Sequence, residues 1–160
     1  MVDGYVKKPK PFTKQANYEI GEDMNMSISW DSDLDEIIFQ VEMPNDAYLA
    51  VAFGSNFLNC DMLLFLSEKN KERIQDCFLE GDDPDFIDLH QDWMTEIVDY
   101  GSRYNKLFTA RRALDTEDVQ DFAFQLDRET TIGFHYSTES SNFEKHEIMD
   151  KSTVLLLSDG

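Results

Sequence analysis

Cysteine is scarce in this sequence, and long apolar runs are missing. Two cysteines in 160 residues are too few for a disulfide scaffold, and their spacing fits no zinc motif. No segment reaches the roughly 18 apolar residues of a membrane span. The first eight residues contain no apolar core of a secretory signal peptide. We therefore expect a cytoplasmic protein without a membrane span; the alternative is a secreted or extracellular protein whose signal was removed.

Lysine and arginine are also scarce. They number 14 against 33 aspartates and glutamates, which gives a formal net charge of -19. A surface of this charge repels nucleic acid, so binding to DNA or RNA is not expected. The first 17 residues are predicted to form an extended basic arm that contains Lys7, Lys8, Lys10 and Lys14. This arm is either a solubilising tail or a docking arm for an acidic protein partner, which includes a neighbouring copy of the chain.

Helical periodicity is missing, and short alternating segments take its place. Met26, Ile28 and Trp30 alternate with serines, as in a strand with one buried face. The segment 48–53 is almost wholly apolar, which is typical of a strand covered on both faces. Nine or ten such segments predict one all-β domain over residues 18–160, a sandwich or a barrel. Six of its apolar residues are predicted to be mostly buried: Trp30, Phe39, Val51, Leu64, Phe124 and Phe134.

The least polar stretch, DAYLAVAFGSNFLNCDMLLFL at residues 46–66, is broken by Gly54 and the polar residues that follow it. Three interpretations compete for this interruption. It is a plain turn between core strands, a loop that holds a cofactor, or the mark of a known module.

The two cysteines flank a predicted hairpin. The runs 61–66 and 74–79 are apolar, and the polar segment between them can fold back near Asn70. This fold brings Cys60 and Cys77 near each other. They form either a disulfide, in an oxidising compartment, or two buried free thiols.

Known catalytic motifs are missing, and we expect no enzyme activity. The sequence has no glycine-rich phosphate loop, no Gly-x-Ser-x-Gly and no His-Glu-x-x-His. The acidic residues Asp82, Asp83 and Asp85 are a candidate site for a hard cation such as Ca²⁺, but they lack EF-hand spacing and also fit a solvated loop. Arg112 is expected to bond a carboxylate such as Asp115 or Asp118.

Four segments taken together resemble the DOMON domain, a module also found at the N-terminus of dopamine β-monooxygenase. They occur in the order of that family and span roughly residues 20–157. The segments are YLAVAFGSNFLNCDMLLF at 48–65, PDFIDLHQDW at 84–93, FTARRALDTEDVQDFAF at 108–124 and TTIGFHYSTESSNFEKHEI at 130–148. The resemblance implies an immunoglobulin-like antiparallel β-sandwich of about ten strands.

The resemblance also bears on haem. In family members that act as b-type cytochromes, the loop after the glycine turn supplies a methionine and a C-terminal loop supplies a histidine as axial ligands. His146 lies where that histidine would be, but Phe57 falls near the methionine position. Met62 is the thioether nearest to that position, but its pattern also fits a residue that packs in the core. His146 also fits a solvent-exposed histidine without a ligand role.

These observations favour one function and leave one alternative. We expect a non-catalytic DOMON-like module that binds a ligand or a protein partner without a cofactor, as a subunit of a larger assembly. The alternative is a haem b electron-transfer domain that uses His146 and Met62.

Overall fold

A computed structural model describes residues 15–21, 23–31, 35–54, 59–68, 72–80, 93–99, 106–116, 122–137 and 150–157. These residues form ten strands and no helix. The strands are β1 (Gln15–Ile20), β2 (Met24–Asp31), β3 (Glu36–Met43), β4 (Ala47–Phe53), β5 (Asn59–Ser67), β6 (Arg73–Glu80), β7 (Met94–Asp99), β8 (Lys106–Ala113), β9 (Glu129–Ser137) and β10 (Asp150–Leu155).

The strands form two five-stranded sheets. The first sheet has the order β1-β2-β3-β8-β7, and the second has the order β10-β9-β4-β5-β6. All neighbouring strands are antiparallel. The predicted all-β sandwich of about ten strands is confirmed.

Side-chain alternation explains how the sheets pack. In β2 and β3 every second residue is buried, because one face of the first sheet covers the core and the other does not. In β4 all seven residues are buried, as the nearly unbroken apolar run predicts for a strand covered on both faces. The six residues predicted to be buried are all buried in the structure.

Aromatic rings fill the core between the sheets. Phe39 of the first sheet meets Phe53 of the second in an edge-to-face contact, with ring centroids 5.6 Å apart. Trp93 and Phe124 pack on both rings. Because each such ring pair adds about 0.5–1.5 kcal/mol beyond area burial, this cluster is a major source of cohesion between the sheets.

The first strand begins earlier than the sequence indicated. β1 starts at Gln15, so residues 15–17, assigned above to the basic arm, pair with β2 at the edge of the first sheet. Lys7, Lys8, Lys10 and Lys14 lie outside the described residues.

The interruption in residues 46–66 is the connection between two paired strands. β4 ends at Phe53, and Gly54 follows with a φ of 101°, a conformation that L side chains rarely adopt. The Gly54 amide donates to the Thr131 carbonyl at 3.0 Å, and a Cβ at this position would lie 3.4 Å from the Phe122 ring. Glycine is therefore favoured here for its backbone conformation.

We expect Gly54→Ala to lower the free energy of unfolding by about 1–3 kcal/mol, the usual cost of a strained backbone conformation. Urea denaturation monitored by tryptophan fluorescence measures the loss. Asn25→Ala, on the exposed side of β2, is the control and should change stability by less than about 0.5 kcal/mol. Equal stability of the Gly54→Ala variant and the parent protein would contradict this role.

The predicted hairpin exists, and its register separates the two cysteines. β5 pairs with β6 so that Met62 faces Cys77 and Cys60 faces Leu79. The two cysteines are therefore diagonal neighbours, for which Cα–Cα separations are about 7–8 Å. This is beyond the usual reach of a disulfide, and Cys77 is a buried thiol whose Sγ donates to the Gln75 carbonyl.

Candidate functional site

The outer face of the second sheet is apolar and buried. In β4, Leu49, Val51 and Phe53 point into the core between the sheets, so the residues that alternate with them point outward. Those outward residues belong to a second, separate group of buried side chains, here called the outer cluster. It consists of Tyr48, Ala50, Ala52, Met62, Leu64, Leu66 and Cys77.

The outer face of the first sheet has the opposite character. Its central positions include Ser27, Gln40 and Thr109, which are neighbours across β2, β3 and β8. All three are partly exposed. Met94, on the edge strand β7, is the one large apolar side chain that is exposed within the described part of the chain. The two outer faces therefore differ: among the described residues, the outer face of the second sheet carries a group of buried apolar side chains, and the central positions of the first are partly exposed.

Small residues occupy the middle of the apolar face. The strand register places Met62 beside Ala52, and Ala52 beside Gly133. In the next row Leu64 lies beside Ala50, which lies beside His135. Ala50, Ala52 and Gly133 carry at most a methyl group. The surface of the sheet therefore has a shallow depression at these residues, between the larger side chains of β5 and His135.

One polar pair borders this apolar surface. The Tyr48 hydroxyl and His135 Nε2 are 3.0 Å apart, and their rings meet edge to face with centroids 5.3 Å apart. Burial raises the pKa of the Tyr48 phenol above its ordinary value, so the phenol stays protonated at neutral pH. It can therefore donate to an unprotonated His135 Nε2.

A buried ion pair lies inside the sandwich, at the end near Gly54. Arg112 of β8 and Asp61 of β5 both point inward, and their side chains are 0% and 2% exposed. Arg112 Nη2 lies 3.9 Å from Asp61 Oδ2. The guanidinium group stacks over the rings of Trp93 and Phe124, at 4.8 and 4.9 Å from their centroids. The pair thus links the first sheet to the second.

The same two side chains hold the segment that precedes β9. The Phe122 amide donates to Asp61 Oδ2 at 2.9 Å, and Arg112 Nη2 donates to the Phe122 carbonyl. The Phe122 ring in turn stacks on Phe53 and contacts the Gly54 position. The ion pair therefore fixes the backbone next to the β4–β5 connection.

Sequence reasoning found part of this arrangement. It predicted a carboxylate partner such as Asp115 or Asp118 for Arg112, and the structure places the Asp61 carboxylate beside it, on the other sheet and far away in the sequence. It did not identify the Tyr48–His135 pair, because those residues are 87 positions apart and meet only through the neighbouring strands β4 and β9. In the sequence, only the near-continuous apolar run of β4 indicated that the outer face of the second sheet is covered.

Of the residues predicted to bind a cofactor, a cation or a partner, only Met62 falls in the described part of the chain. It is 1% exposed and belongs to the outer cluster. His146, Asp82, Asp83, Asp85 and the four arm lysines lie outside the described residues, so their roles stay predictions. Within the described ranges no three or more His, Cys, Asp or Glu side chains form a group that could hold a metal ion.

These features define a β-sandwich domain with a buried apolar outer face on one sheet. A family model described as the DOMON domain matches residues 22–137. The match covers more than half of the chain, and the chain belongs to the DOMON domain family. A comparison with curated proteins found no match. No helix among the described residues is long and apolar enough to cross a membrane.

Proposed function

We propose that this DOMON domain is a non-catalytic module that binds an apolar ligand or partner segment through the outer cluster. The observation that carries the proposal is the outer cluster itself, seven buried side chains on the face that points away from the other sheet. Binding sites for organic ligands are mostly apolar with a few placed polar groups, and the Tyr48–His135 pair supplies such groups at the border.

The buried charged groups support a binding role over a catalytic one. Arg112 and Asp61 bond each other and the backbone between the sheets, where a substrate has no access. Lys106 and Glu72 make a second ion pair, which joins β8 to the start of β6. These ionisable side chains are used to hold the two sheets together.

A substitution on the floor of the outer cluster tests the proposal. We expect Ala50→Phe to reduce binding of the apolar dye Nile red at least about tenfold, because the added ring fills the low part of the face. Ala113→Phe is the matched control, since Ala113 is exposed at the end of β8. Fluorescence titration measures the affinities, and circular dichroism checks that both variants fold. Equal affinity of the two variants would contradict a site on this face.

Haem b electron transfer is a second candidate function, and the location of Met62 favours it. The Met62 thioether belongs to the proposed binding face, next to the small residues Ala52 and Gly133. The face thus offers a thioether, a soft ligand of the kind that haem iron accepts. The second ligand would be His146.

A visible absorption spectrum separates the two candidates. Protein purified from haem-supplemented cells is measured with and without dithionite, alongside Met62→Leu, which keeps the side-chain volume. A Soret band that shifts on reduction and changes in Met62→Leu supports the cytochrome. A featureless visible region supports the module without a cofactor.

We further propose that the domain is a subunit of a larger assembly and that its basic arm contacts an acidic partner. Four arm lysines and one aspartate give the arm a charge of +3, which leaves -22 for the rest of the chain. Opposite charges on arm and body allow the arm to bind an acidic surface that the body would repel. The arm joins the domain at β1, an edge strand, so it can reach outward without disturbing the core.

Replacing Lys7, Lys8, Lys10 and Lys14 with glutamine should abolish salt-dependent retention on immobilised polyglutamate while leaving thermal stability unchanged. The control replaces Arg73 and Arg128, two exposed cations of the domain body, and should keep most of the retention. Retention that survives the arm substitutions, or that does not fall as salt rises, would contradict the arm's role.

A further inference from the structure

Four of the described strands lie at sheet edges, and three of these edges carry features that discourage pairing with another chain. Natural edges are protected by lysines, by inward-pointing charges and by residues of low strand propensity. β10 carries the exposed Lys151, and β6 carries Asp76, which is 1% exposed and faces the core. The exposed residues of β1 are the polar Gln15, Asn17 and Glu19. Three of the four edges are therefore protected.

The fourth edge strand, β7, lacks this protection. Its first five residues are Met-Thr-Glu-Ile-Val, with no lysine, no proline and no inward-pointing charge. Ile97 packs against the core between the sheets, so Met94 and Glu96 point to the outer face of the first sheet. Met94 is 60% exposed, and Thr95 is exposed although it shares the inward side with Ile97. The first half of β7 is therefore open to solvent on both faces.

The outward side chains of β7 present an apolar, an acidic and an apolar position in turn. Met94 and Glu96 are exposed, and Val98 is partly exposed. Leu107 lies opposite Val98 on β8 and is partly exposed, which extends the apolar surface. Within the described ranges Glu96 makes no ion pair, whereas Arg111, opposite Met94, already pairs with a glutamate of β3. An incoming strand therefore meets the negative charge of Glu96.

We propose that β7 binds an extended segment of a protein partner by strand addition, with a lysine or arginine opposite Glu96 and apolar residues opposite Met94 and Val98. Strand addition uses backbone hydrogen bonds for affinity and alternate side chains for specificity. A cation is favoured because the chain carries a net charge of -19, which repels acidic segments and other copies of itself. This surface includes neither the outer cluster nor the basic arm, and the proposal stands without either of them.

Two palindromic peptides test the proposal. Thr-Val-Thr-Lys-Thr-Val-Thr presents valine, lysine and valine on one face in either strand direction, and the second peptide has glutamate in place of the lysine. Fluorescence anisotropy follows the binding of each dye-labelled peptide to the full chain. At about 0.15 M salt, charges more than about 8 Å away are largely screened. We expect the parent protein to bind the lysine peptide at least about fivefold more tightly than the glutamate peptide.

Substitutions on the protein locate the effect. Glu96→Lys should reverse the preference, so that the glutamate peptide binds more tightly, and Met94→Thr should weaken the binding of both peptides. Glu19→Lys is the matched control, because it changes the net charge equally but lies on β1, the opposite edge of the same sheet. It should keep the preference of the parent protein. Circular dichroism checks that the variants fold.

Several results would overturn the site. No binding of the lysine peptide, an unchanged preference in Glu96→Lys, or an equal change in Glu19→Lys each contradicts it. Self-association of the parent protein that Met94→Thr abolishes, without peptide binding, assigns the edge to a second copy and overturns the basic partner segment. Nile red affinity and polyglutamate retention report the outer cluster and the arm, so failure of those proposals is distinguishable from failure of this one.

Discussion

Replacing Arg112 with methionine is expected to lower the free energy of unfolding by about 3–5 kcal/mol, because the substitution leaves the Asp61 carboxylate buried without its cation. Methionine is long and flexible enough to keep contact with Trp93 and Phe124. The loss of stability therefore comes mainly from the missing charge and hydrogen bonds and less from packing. The Phe122 carbonyl also loses the donor that Arg112 provides. Urea denaturation of both proteins measures the difference.

The neighbouring arginine is a matched control. Arg111 lies next to Arg112 on β8 but points outward, is 47% exposed and pairs with Glu36 at 2.9 Å. Exposed ion pairs contribute about 0–1 kcal/mol, so Arg111→Met should change stability by no more than that. Equal losses in the two variants would show that the buried pair has no special role.

A second substitution separates the buried charge from the lost bonds. Asp61→Asn in the Arg112→Met background removes the uncompensated carboxylate and keeps an oxygen that can accept from the Phe122 amide. We expect the double variant to recover part of the stability lost by Arg112→Met alone. A double variant that is less stable by the sum of the two single losses would contradict coupling between Arg112 and Asp61.

The architecture was predictable because strand alternation is a local property. Met26, Ile28 and Trp30 each follow a polar residue, and that pattern alone gives a strand with one buried face. The continuous apolar run of β4 likewise predicted a strand covered on both sides. Such patterns depend only on residues adjacent in the sequence, so they predict strands even when the order of the strands in the sheet is unknown.

The site was less predictable because it depends on which strands become neighbours. The Tyr48–His135 contact requires β9 to pair with β4, and the Arg112–Asp61 contact requires the two sheets to face each other. The predicted hairpin placed the two cysteines near each other. The register that makes them diagonal neighbours and not directly opposite residues is set by the whole β5–β6 ladder. Spacing along the chain carries no information on these long-range choices.

Leu64→Asp is expected to destabilise the domain by about 4 kcal/mol or more, because it places a carboxylate in the middle of the outer cluster. Leu64 is 4% exposed and lies between Gln75 on β6 and Ala50 on β4. None of the outer-cluster residues is a cation that could offset the new charge. Thermal unfolding followed by circular dichroism measures the loss.

The size of this effect decides whether the outer face of the second sheet is shielded from water in solution. Ile38→Asp is the matched control: Ile38 lies on the outer face of the first sheet, is partly exposed and is adjacent to Arg111, so its loss should be about 1 kcal/mol. A large loss for Leu64→Asp beside a small one for Ile38→Asp means that the two outer faces differ as the structure shows. Similar small losses would mean that water reaches the outer cluster and that the two outer faces do not differ in burial in solution.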